Sequence, residues 1–109
     1  MLIDKGVIKN SWNAEMLSGI NPTGRRPRTA LGVTANKEIV FFAAEGDGMT
    51  SGVSGFTTSE VANILHDLGC VEAINLDGGG STCMLVNGIE TIQPSDGSQR
   101  AIASAVMLW

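Results

Sequence analysis

Val71-Glu72-Ala73-Ile74-Asn75-Leu76-Asp77-Gly78-Gly79-Gly80-Ser81 is the stretch on which the fold turns. Residues 71–76 form an apolar and β-branched run that reads as a strand, and it ends at a carboxylate followed by three glycines and a serine. Immediately upstream, Thr57-Thr58-Ser59-Glu60 matches a capping box, in which a hydroxyl and a glutamate three residues on satisfy the free amides of a helix start. Val61, Ile64, Leu65 and Leu68 then recur on one face, and Gly69 supplies the left-handed residue that ends a helix, so a helix is predicted over Thr58–Leu68. His66 lies off that apolar stripe and reads as a solvated surface residue.

Further upstream, 29–34 and 38–44 are apolar or β-branched runs joined by Ala35-Asn36-Lys37, the pattern of two paired strands. The second run is apolar on successive residues, which predicts burial on both of its faces. Between Glu45 and Gly55 lie four glycines with Asp47, Ser51 and Ser54, a connection of the kind that carries function instead of packing. On the C-terminal side, 82–86 resumes a strand pattern, Asn87-Gly88 is a two-residue hairpin signal, and 89–92 completes the pair. Pro94-Ser95-Asp96-Gly97 is a turn cluster, and 101–108 reads as a last, central strand. Residues 1–26, with one short apolar opening and then Asn21-Pro22-Thr23-Gly24, read as a mostly irregular lead-in to a motif-bearing part at 27–109. The whole is predicted to be a single α+β domain, a mixed β-sheet with the helix packed on it.

At 109 residues and 43% hydrophobic content the chain can bury one core. A net charge of −4 with seven Lys and Arg provides no basic field for a nucleic-acid backbone, so nucleic acid is excluded as an expected partner. Arg25, Arg26 and Arg28 nevertheless crowd into four positions, either a solvated cluster or a place where a small anion is met. Cys70 and Cys83 are too few for a disulfide framework and are not spaced as a metal-ligand pair; they read as buried free thiols, with no metal and no cofactor expected. No stretch approaches the roughly 18 apolar residues of a membrane span, and the opening six residues lack the apolar centre of a signal peptide.

The glycine run invites a chemical reading. Successive glycines let backbone amides turn toward one anion, and Ser81 and Thr82 add hydroxyl donors; the alternative is a glycine-rich turn without a ligand. The pattern is neither a Walker loop nor a dinucleotide fingerprint. Asp77 is the local candidate for a base or nucleophile, its alternative role being to accept the amide of Gly79 or Gly80 and so cap the turn. Asn75 falls on the same side as Asp77 by strand alternation and can orient a sugar hydroxyl or the carboxylate, or stand as a satisfied buried amide. Glu45 follows a strand toward the same mouth, and Asp96 sits in a turn that favours aspartate for conformational reasons alone.

Leu76-Asp77-Gly78-Gly79-Gly80-Ser81, with Asn75 before it and Val86-Asn87-Gly88 and Pro94-Ser95-Asp96 after it, resembles the signature of the phosphodiester glycosidase family. Pro27-Arg28-Thr29-Ala30-Leu31-Gly32-Val33 is similar to that family's arginine-bearing strand, and Gly55-Phe56-Thr57 opens the helix in the same order. The resemblance implies a hydrolase acting on a phosphodiester-linked sugar or polysaccharide, such as an exopolysaccharide, in an extracytoplasmic or phage-associated setting. It implies Asp77, Arg28 and Glu45 as catalytic residues, with Thr29, Asn75, Gly78, Gly79, Gly80, Ser81, Thr82, Ser95 and Asp96 binding substrate. Phosphate would be held by Arg28 and the Gly78–Ser81 loop.

Two departures qualify this. The family's Asp-Gly-Arg segment corresponds to Glu45-Gly46-Asp47, which replaces a positive charge by its opposite. Family domains also extend upstream through strands and an asparagine-bearing motif not found here, so the chain is expected to be a fragment or a shortened member whose other half comes from another chain. Exposed strand edges and self-association are expected in consequence. A non-catalytic carbohydrate- or phosphosugar-binding module of the same origin is the competing functional reading.

Overall fold

The computed structural model of the chain describes residues 1–9, 23–99, 101–102 and 105–107. A five-stranded sheet is built from β1 (Ile3–Asp4), β2 (Val7–Ile8), β3 (Arg28–Thr34), β4 (Ile39–Ala44) and β5 (Cys70–Asn75) in the order β2-β1-β5-β3-β4. Each of these pairings is antiparallel. Among the described residues the helix α1 (Thr58–Asp67) packs on one face of the sheet, and a separate ribbon of β6 (Leu85–Val86) and β7 (Ile89–Glu90) follows. The architecture is α+β, as the sequence predicts.

The capping box forms as predicted: the Glu60 amide donates to Thr57 Oγ1 at 3.2 Å, and the Thr57 amide donates to Glu60 Oε1 at 2.9 Å. The helix stops one residue early, with Leu68 as its C-cap and Gly69 at φ +91° beyond it. Val61, Ala62 and Leu65 are buried against Leu2, Ile3, Ala30, Cys70 and Ala73, while Leu68 is 57% exposed. Leu68 therefore does not belong to the buried stripe: it is the cap that follows the last helical residue, and Ala62 takes the inner face instead.

The chain's opening contributes more than a lead-in. Lys5 and Gly6 take positive φ and close a β1–β2 hairpin, the Leu2 amide donates to Ala73 O, and Leu2 and Ile3 are wholly buried. Residues 10–22 of the region read as irregular lie outside the described residues. Strand β4 is an edge strand with Ile39 61% and Phe41 38% exposed, not a strand buried on both faces. Its Val40 and Phe42 pack against the helix-side core and Ala44 is buried on the same side; on the other face Phe41, Leu31 and Ile74 stand in register across three strands, with Phe41 38% and Ile74 40% exposed.

The strand predicted over 82–86 is shorter, because 79–81 coil into a 3₁₀ turn and only Leu85–Val86 pair, across the expected Asn87-Gly88 hairpin. The predicted strand at 101–108 does not form at 101–102 or 105–107, and its remaining positions lie outside the described residues. Ile102, Val106 and Met107 are exposed. Cys70 is a buried free thiol whose pKa is raised by burial, whereas Cys83, also free, is half-buried.

Candidate functional site

The loops at the end of β5 are assembled around residues 24–29. The Leu76 amide donates to Thr29 O at 2.8 Å, carrying the β3–β5 ladder past the strand end, and the Gly79 amide donates to Pro27 O at 3.0 Å. A Cβ on Gly78 would lie 2.7 Å from Pro27 O, so a side chain there would force the turn off the strand. On the other side, Arg26 and Phe56 exchange backbone hydrogen bonds of 3.3 and 3.1 Å. Gly46 is wedged between Ser54 O, Gly55 Cα and Pro27 N, each within 3.0 Å of where its Cβ would sit. Three loops, 24–28, 45–56 and 76–82, are thus fastened to one another mainly through backbone.

Onto this frame the sequence-predicted residues fall unequally. Asp77 is exposed at the mouth, and its Oδ1 accepts the Gly78 amide at 2.9 Å, the capping role shifted one residue along. Arg28 is 4% exposed and turned inward, with Nε donating to Phe56 O at 3.0 Å and Nη2 to Gly24 O at 2.8 Å. Burial, and then the neighbouring Arg26 charge, lower its pKa, but from a value so high that the guanidinium stays charged. Glu45 reaches across to the segment after the ribbon, its Oε2 accepting the Gln93 amide at 3.0 Å. Hydrogen bonds from the Thr50 side chain and the Gln93 amide hold its carboxyl below the usual range. Ser95 is half-buried and Asp96 exposed in the turn after buried Pro94.

Four of the loop amides are already engaged. Besides those of Gly78 and Gly79, the Ser81 amide donates to Gly78 O and the Thr82 amide to Gly79 O, both at 3.1 Å. An anion at this turn would therefore meet side chains before it met a fan of free amides. Among the described residues, four buried side-chain oxygens find no hydrogen-bond partner: Glu45 Oε1, Asn75 Oδ1, Thr82 Oγ1 and Thr58 Oγ1. Three of the four belong to residues that the sequence nominated for the site. Such atoms cost about 1–3 kcal/mol each when left unpaired and concentrate where a ligand or water completes them.

The phosphodiester glycosidase family model matches residues 1–109, the whole chain. The chain belongs to the phosphodiester glycosidase family. Within that family it is 39% identical over 72 residues to human N-acetylglucosamine-1-phosphodiester alpha-N-acetylglucosaminidase, a match covering 66% of this chain and 13% of the human protein. It is 30% identical over 95 residues to the SPbeta prophage-derived uncharacterized protein YomE of Bacillus subtilis, 87% of this chain and 14% of that one. The chain thus spans about a seventh of the length of these relatives. The catalytic domain of the zebrafish N-acetylglucosamine-1-phosphodiester alpha-N-acetylglucosaminidase, solved as auto-inhibited by its pro-peptide, superposes with a TM-score of 0.69 at 28% identity, over 86% of this chain and 33% of that one.

For a phosphodiester glycosidase, the mouth of this site also holds two residues that were not nominated from sequence. Arg26 and Asp47 form a two-pronged ion pair, Nε to Oδ1 at 3.0 Å and Nη2 to Oδ2 at 3.2 Å. The signal for Arg26 was present in the Arg25, Arg26 and Arg28 cluster, but spacing does not reveal which of the three faces outward. Arg25 is spent elsewhere, on Gly55 O and on Glu60. No helix among the described residues is long and apolar enough to cross a membrane.

Proposed function

We propose that this chain carries part of the catalytic surface of a hydrolase that cleaves a sugar-1-phosphodiester. The observation that carries the reading is the union of an exposed Asp77 at a strand end with a glycine turn held on the backbone of Pro27, flanked in sequence by Asn75 and Thr82, each with a buried, unpaired side-chain oxygen. A phosphodiester is already a good leaving group, so the bond from the anomeric carbon to its oxygen can break with electrostatic help more than with proton donation. Asp77, with a carboxylate reachable from solvent, is placed to activate water or attack that carbon. Arg28 acts from beneath as fixed positive charge, and Asn75, Ser81 and Thr82 supply groups for sugar or phosphate oxygens. The human relative's name points to N-acetylglucosamine-1-phosphodiesters as the first substrate to try.

The test is hydrolysis of such a diester against an ordinary aryl glycoside of the same sugar. Asp77→Asn, nearly isosteric, should lower turnover far more than affinity, and Arg28→Ala should weaken both. If Asp77→Asn turns over at the parent rate, Asp77 is a turn residue only. The apolar row of Phe41, Leu31 and Ile74, with Phe41 38% and Ile74 40% exposed, favours a second reading, a phosphosugar-binding or assembly module that packs this face against another copy or the rest of a family domain. A parent that binds phosphosugar without hydrolysing it would decide for that reading.

A further inference from the structure

The Arg26 side chain is 46% exposed, and its Nη2 lies 3.0 Å from where a Cβ on Gly79 would stand, directly over the glycine turn. Its backbone is locked by the two bonds to Phe56, so the side chain leaves from a fixed point. Most other sources of positive character at the turn are committed: the amides of Gly78, Gly79, Ser81 and Thr82 donate within the chain, and Arg28 is buried on two carbonyls. Asp47 takes the Nε edge of Arg26 and leaves Nη1 and one Nη2 proton unclaimed by it, a second edge suited to a pair of phosphoryl oxygens.

We propose that Arg26 is the anion-contacting residue of this site, and that Asp47 both holds its guanidinium over Gly79 and selects a singly charged phosphodiester over a phosphomonoester. The inference rests on the reading of the glycine turn as a phosphate site. An Arg26–Asp47 pair presents a directional donor edge with little net charge. A diester brings one negative charge to it, whereas a monoester near neutral pH brings close to two and meets the Asp47 carboxylate with the second. Asp47 adopts φ +57°, a left-handed conformation that asparagine tolerates equally well, so its charge can be removed without moving the loop.

The experiment titrates the chain, by calorimetry or NMR, with N-acetylglucosamine 1-phosphate and with its methyl phosphodiester, each variant's melting curve confirming its fold. Arg26→Gln should weaken both ligands about tenfold, and Arg26→Lys, which keeps the charge and loses the fork, should fall between. Asp47→Asn should tighten the monoester about fivefold more than the diester. If the parent binds the ligands and Arg26→Gln binds them equally well, the assignment of Arg26 is overturned while the anion site stands. If Asp47→Asn tightens both ligands alike, or neither, the selectivity role of Asp47 is overturned. If the parent binds neither ligand, the phosphate reading of the turn fails, and this inference with it.

Discussion

Leu65→Ala separates the structure's account of the helix from a purely periodic one. Leu65 is wholly buried between α1 and the sheet, among Leu2, Ile3, Val61 and Ala73. Truncation to alanine removes three carbon groups, a transfer loss of roughly 2.5 kcal/mol at about 0.8 kcal/mol each. Its neighbours Ala30, Ala62, Ala73 and Cys70 are too short to fill the void, so a cavity term of about 1–2 kcal/mol adds to this. The expected cost is about 3.5–4.5 kcal/mol, a large share of the roughly 5–15 kcal/mol that holds a typical domain together. Leu68→Ala, on the same sequence stripe but more than half exposed, should cost within about 0.5 kcal/mol. Urea unfolding followed by circular dichroism reads both, the first as a midpoint lowered by roughly 1–3 M at an unchanged slope. Equal losses for the two variants would refute this placement of the helix.

Gly46→Ala should destabilise by about 1–3 kcal/mol and weaken phosphosugar binding together, since a Cβ there meets only backbone, at Ser54, Gly55 and Pro27; thermal melts with a binding titration check it, and a silent variant would show the loops are not interlocked. Acid should loosen the helix start. Glu60's pKa is lowered, first by the Thr57 amide and also by Arg25, so its contribution is complete above the ordinary glutamate value of about 4.3 and is lost as pH falls through the lower folded value. Stability measured from pH 6 to 2 should fall less steeply in that window for Glu60→Gln than for the parent, and parallel curves would contradict the assignment.

What the sequence made legible is what local chemistry dictates. Thr57 with Glu60, Gly69 and Asn87-Gly88 each specify a cap or turn within a few residues, and each forms as predicted. Burial depends on what lies opposite, and there the sequence misleads: Ile39–Ala44 looks buried on both faces, but β4 is the edge of the described sheet and Ile39 and Phe41 on its second face are exposed. The hairpin of Leu2–Ile8 is missed because its strands are two residues each, although Lys5-Gly6 between apolar pairs is a turn signal. At the site, the glycine run correctly marks a turn that no side chain could enter, yet Pro27, the residue it packs against, is fifty positions away, and no local pattern reports that the amides are spent on it and on the turn itself.

The frame and the charge of the site are separable. Leu76, Gly79 and Phe56 bind the 26–29 segment through main-chain groups, and the inward Arg28 ties Phe56 and Gly24 to the same segment. Apart from Arg28, these bonds are indifferent to side-chain identity. The side chains that reach the mouth, Arg26, Asp47 and Asp77, make none of those backbone bonds with their functional groups, Asp77 accepting only from its own neighbour. A charge at position 47 can thus be reversed relative to the family pattern without unmaking the turn, because Arg26 is at hand to pair with it. The charge offered to an anion is then set by three solvent-facing residues on a scaffold that the main chain maintains. Substitutions at 26, 47 and 77 should accordingly move binding and rate while leaving the melting temperature nearly fixed, and those at Gly46 and Gly78 should move both.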